Sequence, residues 1–187
     1  MRLASAHHEG AHATIAEVCG LPVVVAEVGT DGDFSGRVQF DIFWRPGERR
    51  AEEPIDAENT LAESLGVIRG CGRLIYATLP TDTLKRLLVA LAAGRCASWK
   101  FMSEARARAG AALDLEIEGV LLSVLAERGT IVSDHEGEAA ALVEANWMAI
   151  EDLGLDLLRR GRLAACEIRE ILHEHGVRTT DDLVRTA

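Results

Sequence analysis

Residues 3–18 read LASAHHEGAHATIAEV. Leu3, Ala6, Ala13, Ile15, Ala16 and Val18 are spaced compatibly with a helix, and Gly20-Leu21-Pro22 stops it. On a helix, positions i and i+4 share a face, so His8 and His12 look at one point. Glu9 is turned about one quarter of a revolution from His8. This is the H-E-x-x-H arrangement, in which two neutral imidazoles hold a divalent ion and the carboxylate takes a proton from water that the metal acidifies. By average residue usage the pattern arises by chance in roughly 1 chain in 200 of this length. The competing reading is an N-terminal helix with solvent-facing histidines. Gly10 favours that reading, because glycine inside a helix costs about 1 kcal/mol relative to alanine. His7 is rotated about 100° from His8, so it is expected on the surface or behind the ligands rather than on the ion.

Downstream, Val23-Val24-Val25-Ala26-Glu27-Val28 reads as a strand, and Gly29-Thr30-Asp31-Gly32-Asp33 is turn chemistry. A second strand is expected over Arg37 to Trp44, which makes a hairpin or a small mixed sheet. Residues 45–54 look like an exposed charged loop, and Glu58 to Val67 like a short helix broken by Gly70-Cys71-Gly72. Leu74 to Leu79 reads as a strand or an extended connection. Thr81 then caps a long apolar helix from Asp82 to about Met102. Further helices are expected over Leu113 to Arg128, over Glu136 to Gly161 with Gly154 as a weak point, and over Ala164 to His175. Gly129 and Gly176 end two of these, and Thr180-Asp181-Asp182 caps a last turn. The expectation is an α+β fold, predominantly helical. A motif helix and strand pair (1–44) lead into a mainly helical part (55–187) of one domain.

The 187 residues are 48% hydrophobic but only 4% aromatic, so the core must be built from Leu, Ala, Val and Ile. The formal charge of -10 argues against a nucleic-acid or anionic-membrane partner, which would need a basic face. Cys19, Cys71, Cys96 and Cys166 form no C-x-x-C pair and read as buried, reduced thiols. No apolar run approaches the roughly 20 residues that cross a bilayer. A cytoplasmic location follows as the expectation.

The quoted motif, followed by Leu21-Pro22-Val23 and a glycine-punctuated strand pair, resembles the peptidase domain of the FtsH-type, AAA+-linked zinc proteases. Leu91-Ala92-Ala93-Gly94-Arg95-Cys96-Ala97-Ser98 is similar to that family's L-x-G-G-R-x-A-E signature. Gly110-Ala111-Ala112-Leu113-Asp114-Leu115 is similar to the segment that supplies its third ligand. The helices around Trp147 and Leu163 to Ile171 resemble its C-terminal ones. The resemblance implies Zn2+ held by His8, His12 and Asp114, with Glu9 as general base. Residue types alone leave two alternatives open: Asp114 as a helix-N-terminal charge, and Glu116, Glu118 or His135 as substitute ligands.

Three departures stand out. The glycine that the family places before the second histidine is displaced, giving Gly10-Ala11. Ser98 replaces a glutamate. No G-x-x-x-x-G-K-[ST] phosphate loop is present, so ATP-driven unfolding would come from a separate AAA+ ATPase. The expected activity is that of a free-standing zinc metallopeptidase acting on peptides or unfolded protein segments. Such a segment would add to the edge of the Arg37 to Trp44 strand. A homo-oligomer is compatible with the resemblance. The alternatives are a catalytically silent binding or regulatory module of the same fold, and a helical interaction protein with a chance motif.

Overall fold

The computed structural model describes residues 2–29, 36–41, 72–180 and 182. The expected turn at 30–33, the strand end at 42–44, the loop at 45–54 and the helix at 58–67 lie outside the described residues. The described chain is α+β and predominantly helical, with one small antiparallel sheet. In order it runs α1 (Arg2–Val18), β1 (Val23–Glu27), β2 (Arg37–Phe40), α2 (Gly72–Tyr76), α3 (Thr81–Ser98) and α4 (Glu104–Gly110). It continues with α5 (Ala112–Glu127), α6 (His135–Ala145), α7 (Trp147–Arg160), β3 (Arg162–Ala164) and α8 (Ala165–Glu174).

The motif helix α1 lies at the centre. It packs against α3 on one side and α7 on another, and the sheet abuts it as well. Small residues make this close approach feasible. Ala6, Ala11, Ala13 and Ala16 of α1 and Ala90, Ala92, Ala93 and Ala97 of α3 are all fully buried. Gly10 meets Gly154 of α7 backbone to backbone: a Cβ at position 10 would lie 3.1 Å from the Ile150 carbonyl oxygen and 3.2 Å from the Gly154 nitrogen. The helix-propensity cost of Gly10 is therefore the condition for a tight helix crossing. This removes the expectation of a solvent-facing histidine helix. His7 is buried as well, so of its two expected places, on the surface or behind the ligands, the surface one is excluded. Its Nδ1 lies 2.7 Å from the Leu3 carbonyl, and its ring stacks on Trp147 and leans on Phe101.

The sheet order is β2-β1-β3. The apolar run of β1 is buried along nearly its whole length, as expected of a strand covered on both faces. Glu27 faces Arg37 in β2 and Arg162 in β3, so one carboxylate links all three strands. At the other end of this unit the fully buried Glu17 accepts from the Val23 amide at 2.9 Å and from the Thr180 hydroxyl at 2.6 Å. These bonds fix the turn from α1 into β1 and the approach of the C-terminal segment.

Several expected boundaries move. Leu74 belongs to a short helix rather than a strand. The long helix begins at Thr81 behind Pro80 and ends at Ser98, and an unexpected helix, α4, follows it. The expected 136–161 helix is split at Asn146, whose side-chain amide donates to the Leu142 carbonyl and competes with the backbone ladder. Gly154 does not weaken α7, because it sits in the packed crossing with α1. Gly161, at φ 77°, turns the chain into the unexpected strand β3. Among the described residues no helix is long and apolar enough to cross a membrane.

Candidate metal centre

The structure brings His8 and His12 of α1 together with Asp114 from the first turn of α5. The His8 and His12 Nε2 atoms are 3.0 Å apart. Asp114 Oδ2 lies 3.1 Å from His8 Nε2 and 3.4 Å from His12 Nε2. Ligand atoms held about 2.0–2.1 Å from zinc at tetrahedral angles are about 3.3–3.4 Å from one another. The triangle is thus close to the size of one face of a zinc tetrahedron. The three residues supply the nitrogen and oxygen donors that zinc accepts.

The distal ring atoms fix which nitrogens face inward. His12 Nδ1 donates to the Ala90 carbonyl at 2.8 Å. The Ser98 hydroxyl donates to the Gly94 carbonyl at 3.0 Å, which leaves its oxygen to accept from His8 Nδ1 at 3.1 Å. Both neutral rings therefore turn an Nε2 lone pair toward the carboxylate oxygen. Three acceptors so close repel one another unless a cation stands among them. In the metal-free protein that cation is a proton. Burial works against a charged His12, but the Asp114 carboxylate outweighs it and pushes the imidazole up to about 9. Burial likewise opposes charge on Asp114, and the two histidines overcome it, holding the carboxyl well below its ordinary range.

Two glycines make the room. A Cβ at Gly94 would lie 2.6 Å from His12 Cε1 and 2.8 Å from His8 Cε1. A Cβ at Gly36, just before β2, would lie 2.5 Å from Cγ and 2.7 Å from Oε1 of Glu9. The entry to β2 therefore rests on the motif carboxylate. Glu9 is buried, and burial raises its pKa, with His8 and His12 pulling it down and Asp114 pushing it up. His8 and Glu9 open onto a small cleft of about 50 Å³, lined also by Ala4, Ser5, Met102 and Ala107.

The substitute ligands lie elsewhere. Glu116 is exposed, and Glu118 and His135 pair with each other at 3.2 Å. Glu118 is also gripped by Arg95 through both oxygens, at 2.8 and 3.2 Å. Sequence reasoning gave no role to Gly36, Gly94, Ser98 or the Ala90 carbonyl. Ser98, in sequence only a departure from the family signature, orients His8. Its position four residues after Gly94 on one helix was the available signal. No protein-family model matches the chain, and no curated protein matches it.

Proposed function

We propose that the chain is a zinc-dependent peptidase acting on peptides or unfolded protein segments. The observation that carries this reading is the convergence of three lone-pair donors, two of them imidazoles whose outer hydrogen bonds turn Nε2 inward. His8, His12 and Asp114 would hold the ion. A zinc ion so held supplies Lewis acidity, polarising a carbonyl and bringing the pKa of a water toward about 7. Glu9, adjacent in sequence to His8, accepts the water's proton at its carboxylate and passes it to the departing amine. Burial raises its pKa, which strengthens the ionised carboxylate as a base toward that water. The resemblance to the FtsH-type peptidases supports the same assignment.

Substrate placement follows from the sheet. Among the described residues β2 is an edge strand, and Gly36 at its start touches Glu9. An extended peptide adding to that edge runs past the carboxylate with its backbone paired. Such pairing reads backbone more than sequence, which fits unfolded substrates. Unfolding of folded substrates would fall to a separate AAA+ ATPase.

The test is cleavage of an unfolded protein such as casein by wild type and by Glu9→Gln, each loaded with zinc. The expected loss in Glu9→Gln is about 10²- to 10⁴-fold. Equal rates in the two proteins would remove Glu9 from the chemistry. A wild type that binds zinc but never cleaves would leave the silent binding module.

A further inference from the structure

We propose that Arg95 and Glu118 are positioning residues for Asp114: their buried ion pair sets α5 in the rotation that delivers the Asp114 carboxylate to the two histidines. This rests on the metal-centre reading above. Asp114 and Glu118 are four residues apart on α5 and share one face. The start of α5 is weakly held on its own account. It follows Ala111 without a side-chain cap, and Leu113 is 44% exposed. The fully buried apolar side chains of the helix, Leu121, Val124 and Leu125, lie further along, and Ile117 before them is only partly buried. Apolar packing resists separation but is non-directional. A two-pronged guanidinium–carboxylate pair does resist rotation.

That pair sits one turn from Asp114. Arg95 is 1% exposed and Glu118 4%. Two Arg95 nitrogens take the two Glu118 oxygens, and Arg95 also bonds Glu136 at the start of α6 at 2.7 and 2.9 Å. His135 holds Glu118 from a further side. Gly94 and Arg95 are adjacent in α3. One makes space for the imidazoles, and the next fixes the helix that carries the third donor. The placement of all three donors is thereby referred to one point on α3.

The test is zinc affinity by chelator competition on the full chain, with folding followed by circular dichroism. Glu118→Gln is expected to weaken zinc binding about 10- to 100-fold, the range for groups that orient a ligand. In an Asp114→Ala background the same substitution is expected to change affinity less than about threefold, because the residue it positions is gone. Glu136→Gln breaks a different Arg95 contact, on a helix without a ligand, and is expected to leave affinity within about threefold. If Glu118→Gln does not fold, Arg95→Lys keeps the charge without the fork and is compared in the same two backgrounds. An equal loss with and without Asp114 would overturn the proposal, as would an unchanged affinity in Glu118→Gln. Absence of zinc from the wild type would instead overturn the metal-centre reading, and the proposal with it.

Discussion

Gly94 and Arg95, neighbours on α3, face two buried polar clusters of opposite character. Around Arg95, charges are matched: its guanidinium meets Glu118 and Glu136, Arg108 puts a second guanidinium on Glu136, and the His135 ring lies against Glu118. The two carboxylates outweigh the burial that opposes a charged Arg95 and raise its pKa above the usual guanidinium value. Around Gly94, the match depends on a proton: it charges His12 against the Asp114 carboxylate, and a metal would have to take its place. Two imidazole lone pairs and a carboxylate oxygen converge, and the remaining ring atoms are already committed to Ala90 and Ser98. A buried cluster that satisfies itself is architecture. A buried cluster that needs a cation among its acceptors, and opens onto a cleft, is a candidate binding site.

The largest effect is expected on the closed cluster. Arg95→Met leaves the buried Glu118 carboxylate without its guanidinium and is expected to lower the unfolding free energy by about 3–5 kcal/mol, read by urea titration. A loss under about 1 kcal/mol would mean the network is not what holds α3, α5 and α6 together. The next effect belongs to the open cluster. Zinc at 100 to 1,000 times its dissociation constant is expected to stabilise the wild type by about 2.7–4 kcal/mol. Gly94→Ala is expected to lose that increment, because its methyl must displace both imidazoles. An undiminished zinc shift in Gly94→Ala would separate the glycine from the site.

The smallest effect is graded by pH. The His12 pKa is raised from 6.5 to about 9, so its pairing stabilises the metal-free protein fully below about 6.5 and is lost as pH rises through about 9. The Asp114 pKa is depressed, so its share is present above the ordinary carboxylate value of 3.8 and is lost as pH falls through its lower folded value. Zinc must displace the His12 proton. Its apparent affinity is therefore expected to rise about tenfold, or about 1.4 kcal/mol, per pH unit up to about pH 9 and then to level. A flat profile over that range would contradict a proton-filled triangle.

The regular part of this design was legible in the sequence. The i, i+4 histidines, the β-branched run 23–28 and the glycine stops at Gly129 and Gly176 depend on local geometry, which a sequence carries directly. What was not legible depends on tertiary neighbours. Gly10 looked like a defect of α1 until Gly154 supplied the other half of the crossing. Glu118 and His135 looked like spare ligands, because nothing local reveals that Arg95 already occupies one of them. β3 is three residues long, too short for a period-2 pattern to declare itself. Asp114 reached the list of candidate ligands only through the family resemblance. Its separation from His8 in sequence gives no local sign of a contact that the fold makes at 3.1 Å.

The most direct test of the central claim is the zinc content of the purified chain after exhaustive dialysis, measured by elemental analysis for wild type, His12→Ala and Asp114→Ala. One zinc per wild-type chain is expected, with a collapse of that content in both variants. A wild type without stoichiometric zinc, or variants that retain it in full, would contradict the claim.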